Sequence, residues 1–282
     1  MKAFLGIGLL GSNFVRAMLK KGDEVQVWNR TTSKAKELEQ YGAKSFVRAE
    51  DAVKGAEIIH LTLKDDASVD DVLAKALPGL SAGAIIIDHT TTSKEGAIKR
   101  TAYWKEKGFA YQHAPVFMGP PNALESTGYM LISGDQTLVN RVTPHLKKMT
   151  GELVNFGEET GKAAAMKLIG NGFLVCFTTG IADTLLLAKA LAVPSSDVIN
   201  LFNAWNPGSQ LAARLKRIVA GNYSAPSWTL DMARKDTGLF LDALEKSDMH
   251  STLLPPIAGL MDEWIKKGHG EDDWVVIAKD AV

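Results

Sequence analysis

The stretch Lys2-Ala3-Phe4-Leu5-Gly6-Ile7-Gly8-Leu9-Leu10-Gly11 decides the fold of this chain. Its apolar part, Ala3–Ile7, is typical of a buried strand, and Asn13–Lys20 shows a helical pattern that ends before Gly22. A Gly-x-Gly-x-x-Gly turn between a strand and a helix binds the pyrophosphate of a dinucleotide, because its glycines allow a tight turn and a close approach of the phosphates. The free N–H groups at the start of the helix then face those phosphates.

The turn therefore predicts a dinucleotide site, with a plain strand–helix turn as the alternative. The residues expected to contact the cofactor in the turn are Gly6, Ile7, Gly8, Leu9 and Leu10. The end of the second predicted strand decides which nicotinamide cofactor fits, since an acidic residue there would bind the ribose 2′-hydroxyl of NAD. This chain instead has Asn29, Arg30 and Thr31, which could hold a 2′-phosphate. NADP is therefore predicted over NAD, and a solvated surface arginine is the alternative.

Short apolar runs continue to alternate with helical patterns through the first half of the chain. The predicted strands after the first are Val25–Trp28, Ile58–Leu63, Ala84–Ile87, Ala110–Ala114, Tyr129–Ser133 and Val154–Phe156. The predicted helices are Ser33–Tyr41, Ala49–Lys54, Asp66–Ala76 and Thr137–Met149. Strands joined by helices of this length need crossover connections, so the fold class is α/β with a doubly wound parallel sheet of the Rossmann type.

The pattern changes after Gly157. Thr160–Ala192 is one long segment rich in Ala, Leu, Lys and Met, and every later periodic stretch is helical. We therefore expect two domains, with a boundary near Gly157–Gly161: a dinucleotide-binding Rossmann domain over residues 1–157 and an all-helical domain over 158–282.

Composition excludes several classes of protein. With 282 residues, 46% hydrophobic and 23% charged, the chain can bury a core and is not disordered as a whole. Its formal net charge of zero gives no bulk attraction to nucleic acid. No leader pattern opens the chain and no uninterrupted apolar run reaches about 18 residues, so no membrane association and a cytoplasmic location are expected. The single cysteine, Cys176, fits a reducing compartment and lies in an apolar run that predicts a buried position.

Several further motifs follow one another along the chain. Besides the glycine-rich turn and Trp28-Asn29-Arg30-Thr31, they are Asp88-His89-Thr90-Thr91, His113-Ala114-Pro115-Val116, Lys167-Leu168-Ile169-Gly170-Asn171, Lys235-Asp236 and Gly268–Trp274. Together they resemble the β-hydroxyacid dehydrogenase family, which includes 3-hydroxyisobutyrate dehydrogenases and glyoxylate/succinic semialdehyde reductases. The resemblance spans nearly the whole chain, and it implies a nucleotide-binding domain like that of 6-phosphogluconate dehydrogenase.

Lys167 and Asn171 are the candidate catalytic residues. They are four residues apart on one predicted helix, so they share a face. A lysine can move the hydroxyl proton during hydride transfer if burial and a nearby cationic nicotinamide lower its pKa towards neutrality. Lys167 is then the general acid when a carbonyl is reduced and the base in the reverse direction, with Asn171 orienting substrate or lysine. A surface lysine beside an unrelated asparagine is the alternative.

The resemblance assigns further contacts. It implies that Thr90 touches the substrate carboxylate, that Thr91 lies near the cofactor and that Lys235 reaches the nicotinamide. Leu63 and Lys64, after the strand that begins at Ile58, are expected to lie against the cofactor. The alternative for Thr90 and Thr91 is a threonine-rich turn that caps the next helix. The alternative for Lys235 is an exposed cation on a helix.

The clearest departure from the family pattern follows Val116. Where the family has Ser-Gly-Gly to hold a carboxylate, this chain has Phe117-Met118-Gly119-Pro120-Pro121. Phe117, Met118 and Gly119 are expected to line the substrate site, and the proline removes an N–H donor. A more apolar carbonyl substrate than a small hydroxy acid is therefore expected. His113, in place of an acid, is expected to be a hydrogen-bonded loop residue.

His60 and His89 lack metal-ligand spacing with any partner, so no metal is expected. The sequence thus predicts an NADP-dependent dehydrogenase or reductase that acts on CH–OH or C=O groups of a small molecule. Within enzymes the alternative is an imine-reductase-like protein, against which Lys167 argues. A catalytically silent NADP-binding scaffold is the alternative from another class. The resemblance also implies a homodimer or homotetramer.

Overall fold

Six short strands form a parallel sheet in the computed structural model, which describes residues 1–282. The strands are β1 (Lys2–Leu5), β2 (Val25–Trp28), β3 (Lys44–Phe46), β4 (Ile58–Leu61), β5 (Ile85–Asp88) and β6 (Ala110–His113). They lie in the order β3-β2-β1-β4-β5-β6. The order reverses beside β1, and in doubly wound sheets that point is where ligands bind outside the carboxyl ends of the strands. The predicted α/β class with a Rossmann-type sheet is confirmed.

Helices cover both faces of this sheet. They are α1 (Leu9–Lys20), α2 (Thr32–Lys36), α3 (Ala49–Val53), α4 (Asp66–Ala76) and α5 (Lys94–Glu106). Alternate side chains along each strand point to opposite faces. Phe4 and Ile87 pack on one face with residues of α1, whereas Leu5 and Ile86 pack on the other with residues of α3, α4 and α5.

A second, small sheet follows. It contains β7 (Val116–Phe117), β8 (Tyr129–Ile132) and β9 (Glu152–Asn155), with helices α6 (Pro120–Glu125) and α7 (Gln136–Leu146) in the connections. β7 runs antiparallel to β8, and β9 runs parallel to it. The sequence pattern did not predict β3, β7, α5 or α6. β7 is only two residues long and β3 only three, so neither shows a periodicity.

Several element ends differ from the sequence expectation. The first strand stops at Leu5 instead of Ile7, because Gly6 takes a left-handed φ of +97° and turns the chain. The predicted helix Ser33–Tyr41 is divided into α2 and a short 3₁₀ turn, Glu39–Tyr41.

The second half is helical, as predicted. Its helices are α8 (Lys162–Ala190), α9 (Ser195–Ala204), α10 (Leu211–Ala220), α11 (Leu230–Lys246) and α12 (Leu254–Trp264), followed by a 3₁₀ helix, Trp274–Ala281. The chain divides into compact units of residues 1–172 and 173–282, so α8 begins in one and ends in the other. In the second unit, Leu230, Met261, Trp264 and Val276 form a buried core. The domain boundary near Gly157–Gly161 stays a prediction.

A run of large apolar side chains on α8, α9 and α10 is exposed to solvent. It includes Phe173, Leu174, Val175, Phe177, Ile199, Leu201, Trp205, Leu211, Leu215 and Val219. Cys176 is exposed with them, so the predicted buried position is wrong. The apolar run does not pack inside its own chain. By length and composition α8 could also cross a membrane.

Three histidines, one in β4, one directly after β5 and one in α7, form a hydrogen-bonded chain. His60 Nδ1 lies 3.0 Å from His89 Nε2, and His60 Nε2 lies 2.8 Å from His145 Nε2. His89 Nδ1 lies 2.8 Å from the Ala114 carbonyl oxygen, which can only accept. That carbonyl fixes every tautomer: His89 donates to Ala114, His60 donates to His89, and His145 donates to His60. These directions hold while all three rings are neutral.

Candidate functional site

The glycine-rich turn is held where larger residues do not fit. A Cβ on Gly6 would lie 2.2 Å from the Thr62 carbonyl oxygen and 2.8 Å from Leu63 Cδ2. A Cβ on Gly11 would lie 2.1 Å from the Gly6 carbonyl oxygen. Gly8, in contrast, has no atom within 4 Å of the place a Cβ would take. The first and third glycines therefore serve the packing of the turn, and the second leaves open space at its tip.

The start of α1 fits a phosphate group. Gly8 is its N-cap and has no side chain to accept the free N–H groups, and the first turn contains no acidic residue. Gly8 and Leu9 are exposed, and Leu10 is partly buried. Unpartnered N–H groups and the positive end of a helix dipole favour an anion at this place. The residues present thus fit the pyrophosphate of a dinucleotide.

Asn29 ties the end of β2 to this turn. Its Oδ1 accepts a hydrogen bond of 2.9 Å from the Ile7 N–H, and its Nδ2 donates to the Thr31 carbonyl oxygen at 3.0 Å. The sequence suggested Asn29 only as a phosphate donor, and no local pattern signals this bond across 22 residues. Arg30 and Thr31, in contrast, are exposed.

The loop after β5 brings two predicted contacts together. Thr90 is 2% exposed, and its Oγ1 accepts a hydrogen bond of 3.0 Å from the Leu63 N–H. Because that bond uses a lone pair, the hydroxyl hydrogen of Thr90 is left to donate. Thr91 and Lys64 are exposed. Gly6, Leu63 and Thr90 are therefore neighbours at the carboxyl edge of the sheet.

A buried polar network fixes this loop from behind. The Asp88 carboxylate, fully buried, accepts from the Thr90 N–H at 2.9 Å and from the Tyr111 hydroxyl at 2.6 Å. Arg100 Nε donates to the same hydroxyl at 3.1 Å, and the Arg100 guanidinium also pairs with Asp66. Burial, with the carboxylate beside it, raises the pKa of Tyr111 well above its ordinary value. The hydroxyl therefore stays protonated and donates to Asp88.

His113 supports the same loop from β6. It ends this strand instead of lying in a loop, and its Nε2 lies 2.8 Å from the Thr90 carbonyl oxygen and 3.2 Å from Thr92 Oγ1. Its Nδ1 is buried without a partner. The prediction of a hydrogen-bonded residue agrees with these contacts, although sequence spacing gave no sign of its partners.

Lys167 lies buried on α8. Its side chain reaches Asn171, whose Oδ1 accepts a hydrogen bond of 2.9 Å from Nζ. The residue is 8% exposed, and this burial lowers the pKa of Lys167 to about 8. An amine with that pKa can both give and take a proton near neutral pH. The pairing with Asn171 follows from the helical spacing.

Phe117 also contacts Lys167, which the sequence did not predict. The lysine Nζ lies 4.1 Å from the centre of the Phe117 ring, which is the geometry of a cation–π interaction. Nearby, the Gly119 N–H donates to Asn122 Oδ1 at 2.9 Å, and neither Pro120 nor Pro121 has an N–H. Fifty residues separate Phe117 from Lys167, so no local pattern could have paired them.

Lys235 lies in the second unit. Its side chain is exposed, and its Nζ pairs with Asp236 Oδ1 at 2.9 Å. Its expected contact with the nicotinamide stays a prediction.

Comparisons with known proteins agree with this geometry. Residues 2–157 match the family model described as the NAD-binding domain of 6-phosphogluconate dehydrogenase. Among curated relatives, 3-sulfolactaldehyde reductase of Escherichia coli is 28% identical over 280 residues, which cover 98% of this chain and 93% of that protein. Glyoxylate/succinic semialdehyde reductase 2 of Arabidopsis thaliana is 27% identical over 275 residues, covering 96% and 75%. An imine reductase from Myxococcus stipitatus, solved with NADP+, shares the fold with a TM-score of 0.92 at 22% identity over both whole chains.

Proposed function

The chain belongs to the β-hydroxyacid dehydrogenase family of NAD(P)-binding oxidoreductases, and from that premise we propose that it is an NADP-dependent carbonyl reductase or alcohol dehydrogenase. Its substrate is a small and relatively apolar carbonyl or hydroxy compound. The observation that carries this proposal is the buried Lys167, with a pKa of about 8 and a hydrogen bond to Asn171.

Lys167 moves the proton of the reaction. When a carbonyl is reduced, Nζ donates a proton to the developing alkoxide oxygen, and in the reverse direction the neutral amine removes the hydroxyl proton. Asn171 holds the amine in place through its Oδ1, so the lysine does not swing between rotamers. The nicotinamide cofactor, when bound, supplies or accepts the hydride.

Residues of the first unit would hold that cofactor. The turn residues Gly6, Ile7, Gly8, Leu9 and Leu10 would surround the pyrophosphate, and the open space at Gly8 supports this assignment. Arg30, exposed at the end of β2, would pair with a 2′-phosphate, with Thr31 and Asn29 beside it. The further proposed contacts are Leu63, Lys64, Thr91 and Lys235.

Thr90, Phe117, Met118 and Gly119 would line the substrate site. The free hydroxyl hydrogen of Thr90 is available to an oxygen of the substrate, and its bond with Leu63 fixes its direction. Phe117 and Met118 supply an apolar wall.

The test is a survey of NADPH and NADH oxidation with short semialdehydes, glyoxylate, aromatic aldehydes and cyclic imines. We expect turnover of a carbonyl compound with NADPH preferred, and a loss of about a hundredfold to ten-thousandfold in kcat for Lys167→Ala with normal folding, since it removes the proton donor. Near-full turnover by this variant would remove the assignment of Lys167. A tenfold preference for NADH, about 1.4 kcal/mol, would remove the assignment of Arg30.

An imine reductase is the second candidate function, and the apolar segment Phe117–Pro121 favours it. Reduction of cyclic imines without any carbonyl turnover would select this candidate. A silent NADP-binding scaffold would bind NADPH and turn over neither class of substrate.

The exposed apolar surface of α8, α9 and α10 supports a homodimer or homotetramer. Large exposed apolar surfaces on a folded chain mark interfaces, and the helices α9 and α10 have only ten residues each, too few to cross a bilayer. A second copy of the chain that covers these helices accounts for the exposed apolar side chains of α8, α9 and α10. Such an assembly agrees with a cytoplasmic protein without membrane contact. Light scattering on the purified protein distinguishes this assembly from a monomer or a detergent-requiring protein.

A further inference from the structure

Phe117 occupies one side of the Lys167 ammonium group. Nζ lies 4.1 Å from the ring centre, and its hydrogen bond to Asn171 uses one of its three hydrogens. A substrate oxygen must come within about 3 Å of Nζ to exchange a proton, and it cannot do so through the ring. The ring therefore limits the directions from which a substrate can reach the lysine.

Gly170 is the residue that admits the ring. A Cβ at position 170 would lie 2.3 Å from Phe117 Cζ and 2.9 Å from Cε1. Distances below 3.0 Å do not occur between real atoms of this kind, so any side chain at 170 would force the ring away. Lys167, Gly170 and Phe117 thus form one packed unit, with both α8 residues holding the ring.

The segment that carries the ring offers few donors to an anion. The Gly119 N–H is already used by Asn122, and Pro120 and Pro121 have none. Phe117 and Met118 contribute no hydroxyl. A carboxylate brought against this segment would lose water and gain no hydrogen bond from the Gly119 N–H, the prolines or the side chains of Phe117 and Met118, which is unfavourable.

We propose that Phe117, admitted by Gly170, acts as a specificity-determining residue that selects uncharged carbonyl substrates over those with a carboxylate near the reacting group. This inference rests on the proposed function and names its substrate class. The burial that lowers the pKa of Lys167 to about 8 agrees with a site from which water is largely excluded on the ring side.

The kinetic test uses butanal and succinic semialdehyde, which share a four-carbon aldehyde and differ in a terminal carboxylate. We expect kcat/KM with NADPH to be at least tenfold higher for butanal. Phe117→Ser and Gly170→Ala should each reduce that ratio at least tenfold, whereas Phe117→Leu, which keeps an apolar side chain, should retain it within threefold. A wild-type ratio of one or below, or no change in Phe117→Ser and Gly170→Ala, would overturn the proposal.

A spectroscopic test needs no turnover. Lysines are dimethylated with ¹³C-formaldehyde, the Lys167 signal is assigned by its absence in Lys167→Arg, and its pKa is read from the shift with pH. Phe117→Leu keeps the burial but removes the ring, so the pKa should fall by about 0.4 to 1.5 units. An unchanged pKa in Phe117→Leu would overturn the contact.

The two tests separate the inference from the proposed function. If the pKa of Lys167 falls in Phe117→Leu and no carbonyl compound is reduced, the proposed function fails and the position of the ring is supported. If carbonyl compounds are reduced and the substrate ratio does not respond to Phe117, the inference fails and the function stands. Gly170→Ala suits the kinetic test because alanine is favoured within helices, so the fold should persist.

Discussion

Acid should destabilise this protein at an unusually high pH, because the burial of His60, His89 and His145 favours their neutral form in the folded state. Burial lowers the pKa of His89 and of His145 to about 4, against an ordinary value of 6.5, and it lowers the pKa of His60 well below that ordinary value. Lys2 also faces His60 and His145, and Lys148 and Asp23 face His145. Two carboxylates oppose the shift: Asp23 raises the pKa of His145, and Asp88 raises that of His89.

The sign follows from proton binding. Between pH 6.5 and 4 the unfolded chain binds protons at these sites and the folded protein does not, so the free energy of unfolding falls as the pH falls. The stabilisation is complete above about 6.5. At pH 5 His89 and His145 each lower the free energy of unfolding by about 2 kcal/mol, and the two together lower it by about 4 kcal/mol, with His60 acting in the same direction. That is a large part of the whole stability of many proteins.

The assay is urea unfolding at fixed protein concentration and ionic strength from pH 7.5 to 5.0. Carboxylates contribute little here, because their ordinary pKa values lie below 5. His145→Gln should reduce the proton uptake on unfolding by about one, and His250→Gln, at an exposed position, should leave it unchanged. A free energy of unfolding that stays constant between pH 6.5 and 5.0 would refute the reasoning.

Three further changes test the site. Arg30→Ala should raise the KM for NADPH at least tenfold and that for NADH less than threefold, in steady-state kinetics; equal effects would contradict a 2′-phosphate contact. Gly11→Ala should abolish tight NADPH binding in a fluorescence titration, because its Cβ would lie 2.1 Å from the Gly6 carbonyl oxygen, whereas Gly259→Ala, in open space on α12, should bind normally. Tyr111→Phe should lower the free energy of unfolding by about 1–3 kcal/mol, since the buried Asp88 loses a donor. Tyr103→Phe, at a side chain 48% exposed, is its control, and an equal loss in both would rule out the buried network as the cause.

The sequence predicted those parts of the fold that rest on local pattern. The strand at Val25–Trp28 and the helix at Asp66–Ala76 have the predicted bounds, because both are strongly periodic and bounded by turn residues. β7 escaped prediction, since a two-residue strand exists only through its partner β8. Cys176 was placed wrongly because an apolar run predicts burial without saying against which surface, and here its own chain does not cover it.

In the candidate site, too, contacts between residues close in sequence were predictable and contacts between distant residues were not. The spacing of Lys167 and Asn171 predicted their contact, since helical geometry relates residues four apart. The ring of Phe117 over Lys167 depends on the path of the chain between the two residues, which no window of sequence contains. The chain of histidines is hidden for the same reason, since His60 and His145 are 85 residues apart.

The bond between Asn29 and Ile7 has a practical consequence for protein engineering. Positions 29 and 30 are neighbours in sequence, and both would be randomised in a library meant to exchange one nicotinamide cofactor for the other. Of these two positions only Arg30 can be changed without loss of a structural contact, because the Asn29 side-chain oxygen holds the glycine-rich turn. A library that varies position 30 and keeps Asn29 should therefore yield many more active clones than one that varies both.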